Sequence, residues 1–386
     1  MGPFNVKDFF CSFTPCILYV VLKNKLTFIT NIPSPYNIDM FESLAIRIDL
    51  SVYFYTNIES ERQWSLDIDS PNYKTTVFKK DLLYNLFQKI NRNLYLNIQV
   101  FEVSFSRSDY FILGGNYFSP NTLILLLILK LRGQKIFWFG EKLFPSRSRT
   151  QHFIKRVLIS PVNWCTRAIF AVGEEARQSY RSYGYKNPIL NTPYAINQKR
   201  FYDFKQKENK TNGKFIFLSS GSLIHRKGYD LAIKAFNLLP EYLKSRTEYW
   251  IMGDGPLLSD LRSLVKPEFS VKFLGFVEPK DIATYYRVAS CFLLTSRYDG
   301  WGVVVNEAIS AGLPVIVTNT CGAAEYVDAD GGFVVNCDVN EISNRIEYVL
   351  LHPETTEKFS QYNLDKASMI SSDKIAEMML NKIRKF

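Results

Sequence analysis

Short apolar runs alternate with stretches of helical periodicity through the second half of the chain. The apolar runs predict strands, and the intervening stretches have the three-to-four-residue apolar spacing of amphipathic helices. The predicted strands are 215–219, 249–252, 271–274, 291–294, 315–317 and 333–335, and the predicted helices are 229–239, 257–265, 280–289, 340–351 and a short one near 323–326. Apolar strands that are each followed by a helix are typical of a parallel, doubly wound sheet.

The first half of the chain has the same alternation in a less regular form. It predicts strands at 26–30, 51–55, 110–113, 135–139 and 168–172, and helices at 40–46, 122–131, 152–160 and 174–183. A polar, lysine-rich stretch separates the halves. We therefore predict an α/β fold with two Rossmann-like, doubly wound domains that face a cleft. The predicted units are a first domain at 1–195, a linker at 196–213, a second domain at 214–370 and a C-terminal helix at 371–386.

The segment 291–326 combines a strand, a glycine loop and a helix start. The loop contains Gly300 and Gly302, and the helix that follows ends near Gly312. Free N–H groups in the first turn and the helix dipole both favour a phosphate at such a place. Two carboxylates, Asp299 and Glu307, bracket the loop. The alternative is an ordinary βαβ unit with a capping carboxylate.

Three further loops follow predicted strands of the second domain, where ligands of such sheets bind. The first contains Arg226 and Lys227 at a helix start, where the dipole disfavours cations, so an anionic ligand is indicated. The alternative is that both cations are simply exposed. The second loop is a glycine turn at 253–256, and the third, at 275–277, places an aromatic residue beside a glycine, a pattern that also fits core packing.

These motifs resemble those of the group-1 glycosyltransferases (family 4, retaining, GT-B fold). The signature Glu-x7-Glu followed by Ala-x-x-x-Gly-x-Pro-Val-Ile is matched here by Asp299, Glu307, Ala308, Gly312, Pro314, Val315 and Ile316, with Asp in place of the first Glu. The family's Gly-Arg-Leu-x-x-x-Lys-Gly is matched by Gly221, Lys227 and Gly228, whereas Ser222 replaces the arginine.

The resemblance implies a role for each position in binding a nucleotide diphosphate sugar. The expected catalytic residues are Asp299, Lys227 and Arg226. The resemblance places Asp299 on the sugar hydroxyls and Lys227 on the pyrophosphate, and the adjacent Arg226 is expected to compensate for the arginine that Ser222 replaces. Glu307 is expected to bind the ribose hydroxyls. The backbone of Gly300 and Trp301 is expected to bind the sugar, and the N–H groups of Gly302, Val303 and Val304 the diphosphate. The remaining donor-binding positions are Gly221, Ser222 and Gly253 beside the nucleotide, and Gly275, Phe276 and Val277, whose backbone is expected to bind the base.

The first domain is expected to bind the acceptor. Residues 31–36 read Asn-Ile-Pro-Ser-Pro-Tyr after the first strand and resemble an opening seen in bacterial surface-polysaccharide members of the family. The acceptor-side candidates are Ser34, Tyr36, Asn116 and Glu141, and for Glu141 a plain surface carboxylate is the alternative. In GT-B enzymes the last helix crosses back toward the first domain, which is the expectation for 371–386.

The resemblance implies transfer of a sugar, with retention, to a hydroxyl of a glycan or lipid-linked oligosaccharide in surface polysaccharide or lipopolysaccharide biosynthesis. No cofactor or metal is expected besides the donor substrate, and Asp67-Ile68-Asp69 is interpreted as a chance match to a metal motif. The alternatives are a nucleotide-sugar 2-epimerase and a catalytically silent subunit that binds a partner. A dinucleotide oxidoreductase would need Gly-x-Gly-x-x-Gly after its first strand, which this sequence lacks.

Charge is distributed unevenly along the chain. Residues 1–200 contain 25 Lys and Arg against 14 Asp and Glu, and the remainder contains 22 against 23. One basic cluster comprises Lys142, Arg147, Arg149, Lys155 and Arg156. This excess fits either a solvated surface or a face that meets anionic lipid or an anionic acceptor, and no nucleic-acid motif accompanies it.

The six scattered cysteines are interpreted as reduced thiols and predict a cytoplasmic protein. With only three histidines, no multi-histidine metal site is expected. If the basic surface binds lipid, the protein is expected on the inner face of the membrane. Residues 9–22 are interpreted as an N-terminal extension rather than a signal peptide.

Overall fold

Two parallel β-sheets with helices packed against them make up the fold. The computed structural model describes residues 24–57, 68–91, 94–202 and 213–386. The first sheet contains β1 (Lys25–Thr30), β2 (Asp49–Phe54), β3 (Lys74–Val77), β4 (Tyr110–Gly114), β5 (Lys135–Gly140), β6 (Ala168–Ala171) and β7 (Ile189–Asn191), in the order β3-β2-β1-β4-β5-β6-β7. The associated helices are α1 (Pro35–Ala45), α2 (Leu82–Ile90), α3 (Gln99–Ser104), α4 (Pro120–Leu131), α5 (Arg149–Cys165) and α6 (Glu174–Ser182), and a short α7 (Lys199–Tyr202) follows.

The second sheet repeats this architecture. Its strands are β8 (Phe215–Ser220), β9 (Thr247–Met252), β10 (Ser270–Gly275), β11 (Cys291–Leu294), β12 (Val315–Thr318) and β13 (Gly332–Val335), in the order β10-β9-β8-β11-β12-β13. The helices are α8 (Tyr229–Leu238), α9 (Glu241–Lys244), α10 (Leu258–Ser263), α11 (Ile282–Val288), α12 (Val303–Ser310), α13 (Val339–Leu351), α14 (Pro353–Ala367) and α15 (Ser372–Ile383), with 3₁₀ turns at His225–Lys227, Gly322–Tyr326 and Ser368–Ile370. The predicted α/β class with two doubly wound sheets is confirmed.

Each sheet reverses its strand order at one point, and this positions the candidate loops. The reversal lies between β1 and β4 in the first sheet and between β8 and β11 in the second. Loops that follow the two strands at a reversal diverge and leave a crevice at the carboxyl ends of the strands. The loops bearing Lys227 and Asp299 follow β8 and β11, and those bearing Ser34 and Asn116 follow β1 and β4.

The prediction that the helix 152–160 stops before Pro161 is wrong. α5 runs from Arg149 to Cys165 with Pro161 inside it. Proline has no N–H for the carbonyl four residues earlier, which normally breaks a helix. Here Ser160 Oγ donates to the Val157 carbonyl at 2.7 Å, so that oxygen keeps a partner. The sequence pattern also missed β3, β7, α2, α3, α14 and the short helices α7 and α9.

We call the first sheet with its helices the first unit and the second sheet with its helices the second unit. The last helix of the chain packs on the first unit. α15 lies against α1, where Ser43 Oγ donates to Ser372 Oγ at 2.9 Å and Arg47 pairs with Asp373 at 3.1 Å. The boundaries at 195, 213 and 370 stay predictions, and part of the predicted linker, like residues 9–22 and Asp67, lies outside the described residues. Along the described parts of the chain, every helix is too short or too polar to cross a bilayer.

Candidate functional site

Lys227 and Asp299 form a direct ion pair at the crevice of the second sheet. Lys227 Nζ donates to Asp299 Oδ2 at 2.5 Å, and Arg226 lies 3.7 Å from the same oxygen. The Lys227 and Asp299 side chains are only 11 and 12% exposed, whereas Arg226 is 47% exposed. The β8 and β11 loops therefore place two cations and one carboxylate together, with one cation still facing solvent.

Glycines allow these two loops to approach each other. Gly228 has a φ of +67°, and a Cβ there would overlap the Thr295 carbonyl oxygen. Thr295 Oγ1 donates to the Gly228 carbonyl at 2.8 Å, and Arg297 N donates to the Arg226 carbonyl at 2.8 Å. A side chain at position 228 would push the loops apart, so the match of this glycine to the family motif has a steric reason.

The N-terminus of α12 opens onto the same crevice. Gly302 is its N-cap with a φ of +86°, and no side chain caps the first turn. A Cβ on Gly302 would lie 2.5 Å from Cys321 Sγ, so only glycine fits. The helix therefore presents backbone N–H groups and the positive end of its dipole. The first turn of α12 includes Val303 and Val304, the predicted diphosphate-binding positions.

Glu307 lies on α12 and accepts a hydrogen bond from the Tyr286 hydroxyl at 2.8 Å. Burial raises the pKa of the Glu307 carboxyl to about 7; the Tyr286 hydrogen bond and Arg200 act to lower this pKa, and Asp39 acts to raise it. Arg200 itself pairs with Asp39 at 3.3 Å. The carboxyl is therefore poised to change charge near neutral pH, and sequence reasoning did not identify Tyr286 or Arg200 as its partners.

Three glycine loops meet beside the ion pair. Gly221 N donates to the Met252 carbonyl at 2.9 Å, and Gly253 N donates to the Gly275 carbonyl at 2.7 Å. Gly253 has a φ of +136°, and a Cβ there would overlap the Gly221 carbonyl oxygen. The predicted nucleotide-binding loops thus come together. Phe276 next to them is 40% exposed, so its ring face is accessible. Ser222 is exposed, and Val277 packs partly on the core.

The Trp301 side chain points away from this crevice into the first unit. It is 5% exposed and packs against Gly173, where a Cβ would overlap the indole ring. Trp301 Nε1 donates to Asn306 Oδ1, and Asn306 Nδ2 donates to the Tyr194 carbonyl, both at 3.1 Å. Only the backbone of Trp301 is therefore available on the crevice side. No sequence pattern pointed to Asn306, whereas Gly173 directly follows a predicted strand.

A second contact joins the units beside Trp301. The Glu325 carboxylate accepts a hydrogen bond from the Glu174 N–H at 2.8 Å and one from Asn191 Nδ2 at 3.1 Å. Gly173 is the N-cap of α6 and has no side chain to satisfy the first turn, so a carboxylate of the other unit supplies the cap.

The predicted acceptor-side residues lie in separate surroundings. Tyr36 packs against Tyr194 with ring centroids 4.2 Å apart, and the Tyr194 hydroxyl donates to the Glu141 carboxylate. These three residues therefore form one group. Ser34 instead is the buried N-cap of α1, where its hydroxyl accepts from Asn37 N at 3.4 Å. Asn116 Oδ1 accepts from Phe118 N at 3.4 Å in the turn before α4.

Within 24–57, 68–91, 94–202 and 213–386, no group of three or more His, Cys, Asp or Glu side chains is placed to hold a metal ion. Cys165, Cys291, Cys321 and Cys337 are free thiols.

Known proteins are similar in sequence to the second half of the chain. Residues 201–366 match the family model described as glycosyl transferases group 1. The lipopolysaccharide glucosyltransferase WaaG of Escherichia coli K12 is 33% identical over 40% of this chain and 40% of its own length. The O-antigen chain mannosyltransferase B of Escherichia coli is 28% identical over 42% of this chain and 43% of its own length. The chain spans between a quarter and about half of the length of the curated relatives it matches.

Solved structures match the whole architecture at low sequence identity. HepE of Anabaena, in complex with UDP, superposes with a TM-score of 0.74 at 16% identity, covering 94% of this chain and all of HepE. The crystal structure of WaaG superposes with a TM-score of 0.67 at 16% identity, covering 93% of this chain and 99% of WaaG. Residues 201–366 of this chain are therefore similar in sequence to the group 1 glycosyl transferases, and the chain has the GT-B fold.

Proposed function

We propose that this protein is a retaining glycosyltransferase that moves a sugar from a nucleotide diphosphate sugar to a hydroxyl of a glycan or lipid-linked oligosaccharide in surface polysaccharide biosynthesis. The observation that carries the proposal is the Lys227–Asp299 ion pair, with Arg226 beside it, at the uncapped N-terminus of α12. The names of the relatives, which act in lipopolysaccharide and O-antigen synthesis, support the class of acceptor.

The diphosphate would bind between the cations and α12. Lys227 and Arg226 provide charge-assisted hydrogen bonds, and the first-turn N–H groups of α12 provide fixed dipoles. These groups stabilise the negative charge that grows on the leaving diphosphate as the bond to the sugar breaks. A diphosphate that draws Lys227 toward itself would free Asp299 to accept hydrogen bonds from the sugar hydroxyls.

The rest of the donor would follow the wall of the crevice. The Glu307 carboxylate would accept hydrogen bonds from both ribose hydroxyls, which requires its ionised form. The base would lie at the glycine loops, with Phe276 offering a ring face for stacking.

The acceptor would lie across the cleft, near Tyr36, Tyr194 and Glu141. Their ring faces, hydroxyls and carboxylate are the groups that bind sugars. Asn31 Oδ1, after β1, is a buried oxygen for which the described residues supply no donor, and an acceptor hydroxyl could supply one.

A panel of UDP-, GDP-, ADP- and dTDP-sugars would test donor binding by thermal shift. UDP-glucose is the first choice, because the similar HepE has been solved with it. A ligand at about 100 times its dissociation constant should add about 2.7 kcal/mol of stability. If no nucleotide sugar shifts the melting temperature of wild type, the donor-site assignment is wrong.

The two alternatives make different products. Hydrolysis of the donor without acceptor would rule out a catalytically silent subunit, for which the Ser222 and Asp299 departures from the family motif are the motivation. Release of UDP without an epimerised sugar would rule out a 2-epimerase.

The charge of the first unit supports a location at the inner surface of a membrane. The cluster of Arg147, Arg149, Lys155 and Arg156 would attract anionic lipid at about 1 kcal/mol per cation close to the surface. Neutralising these four residues should weaken binding to anionic vesicles and leave donor binding intact. Equal binding of wild type to neutral and anionic vesicles would contradict this location.

A further inference from the structure

The helices on one face of the first sheet expose an unusual number of apolar side chains. Of the 20 large hydrophobic side chains that are exposed in the described residues, 13 lie between residues 82 and 164. The helices α2, α3, α4 and α5 all contribute, and their inner faces pack into the same hydrophobic cluster of this sheet. Single exposed apolar residues are normal, but a concentration on one face marks a binding surface.

The exposed apolar side chains are most regularly spaced on α2. Leu82, Leu86 and Ile90 are 83, 54 and 70% exposed, and their spacing of four residues puts them on one side of the helix. Tyr84 points to the opposite side and is buried. The outer surface of α2 is therefore an apolar stripe that nothing in the described residues covers.

α5 has a second stripe. Phe153, Val157 and Trp164 are all more than half exposed and recur at helical spacing. The helices that carry the two stripes are connected. Asp81, the N-cap of α2, accepts a hydrogen bond from the N–H of Ile98, the N-cap of α3, at 2.8 Å. α3, which exposes Phe101, packs against α4, and α4 packs against α5. We call the exposed apolar side chains of α2 to α5 the apolar face.

Cations surround the apolar face. Residues 79–164 contain 13 Lys and Arg but only four Asp and Glu, which is a net charge of +9. Lys79, Lys80 and Lys89 flank the α2 stripe, and Lys155 and Arg156 lie beside the α5 stripe. Long basic side chains next to apolar ones suit the boundary between lipid headgroups and acyl chains, because the stems bury while the charges stay in water.

We propose that the apolar face inserts into the interfacial region of an anionic phospholipid bilayer, so that the enzyme lies on the membrane by its first unit. This rests on the proposed function only in that a lipid-linked acceptor would then be within reach of the cleft. It goes beyond electrostatic attraction, because the stripes of α2 and α5 would leave water on binding.

Vesicle sedimentation would test insertion. The variant is Leu82→Ser/Leu86→Ser/Ile90→Ser, and the matched control is Leu238→Ser/Leu351→Ser/Met369→Ser, which changes similarly exposed residues of the second half. Wild type and control should bind vesicles containing phosphatidylglycerol, and the α2 variant should partition at least about tenfold more weakly. At 0.5 M NaCl, part of the wild-type binding should remain and the variant should lose it. Equal binding of variant and control, or complete loss of wild-type binding in salt, would overturn insertion.

Trp164 provides a direct probe. Brominated lipids should quench wild-type tryptophan fluorescence, the quenching should largely disappear in Trp164→Phe, and it should persist in Trp250→Phe. Quenching that is unchanged in Trp164→Phe would contradict insertion of α5. If wild type ignores vesicles but forms a dimer that the α2 variant dissociates, the apolar face is a contact between two copies and the proposal is wrong.

Donor binding separates this inference from the proposed function. The α2 variant should keep the wild-type thermal shift with a nucleotide sugar, which also establishes that it folds. A protein that binds donor but not lipid would refute only the membrane surface, and one that inserts into lipid but binds no donor would refute only the transferase.

Discussion

Replacing Glu307 by glutamine isolates the effect of the ionisation of one carboxyl group on stability. The Glu307 carboxyl accepts from the Tyr286 hydroxyl at 2.8 Å, and burial raises its pKa from 4.5 to about 7. Glutamine has nearly the same shape, keeps an oxygen that can accept from Tyr286, and cannot ionise. The substitution should therefore preserve packing and remove only the titration.

The sign and size of the change in folding stability follow from the pKa of Glu307 in the unfolded chain and in the folded protein. The folded protein holds the Glu307 proton more tightly than the unfolded chain, so the stabilisation is complete below pH 4.5 and is lost as the pH rises through 7. A shift of this size is worth at most roughly 3 kcal/mol, because each unit is worth about 1.36 kcal/mol. Since Glu307 is partly exposed, screening by water will reduce this free energy. We therefore expect the pH-dependent change in stability to be about 1–2 kcal/mol.

Urea unfolding at pH 5 and pH 8, without donor, measures this difference. Glu307→Gln should gain about 1–2 kcal/mol relative to wild type between these two pH values, because the glutamine pays no ionisation cost at pH 8. Glu241→Gln, at an exposed position of the same unit, is the control and should follow wild type. If Glu307→Gln and wild type respond equally to pH, the carboxyl is ionised throughout and its assignment as a neutral-pH group is incorrect.

The other predictions concern the ion pair, metal dependence and the contact between the units. Lys227→Ala should lower turnover by about 10²–10³-fold, because it removes a donor that acts mainly on the leaving diphosphate; near-normal steady-state activity would refute that role. Transferase activity should survive EDTA because fixed cations and amides supply the charge, and complete loss restored by Mn²⁺ would count against this mechanism. Gly173→Ala should destabilise the protein by at least about 1 kcal/mol more than Gly133→Ala in urea unfolding, because both glycines have positive φ but only position 173 also meets the Trp301 ring.

The sequence predicted the buried part of the fold well because buried parallel strands are continuous apolar runs. β11 has the predicted bounds, and all four of its residues are buried. The missed strands lie at the edges of the first sheet. β3 has the sequence KTTV with no fully buried residue, and β7 has only three residues. An edge strand has a partner on one side only, so it needs neither apolar length nor alternation.

The loops of the candidate site were predicted, but their mutual contacts were not. Lys227 and Asp299 are 72 residues apart in sequence, and they meet only because β8 and β11 are neighbours in the sheet. No local pattern encodes that adjacency. For the same reason the partners of Glu307 could not be predicted from the sequence, since Tyr286 lies on α11 and Arg200 on α7.

The Trp301 contacts couple the two units through the loop that carries Asp299. The indole ring packs on Gly173 and its N–H donates to Asn306, which in turn donates to the Tyr194 carbonyl. The Trp301 carbonyl accepts from Ala323 N at 2.7 Å. A change in the angle between the units would displace the Trp301 side chain. Gly300 and Gly302 are bonded directly to Trp301, so their backbone would move with it. Because these backbone groups are where the donor sugar and diphosphate are proposed to bind, donor geometry would depend on how the first unit is positioned. A bilayer that holds the first unit by its apolar face could therefore influence the donor site without touching it.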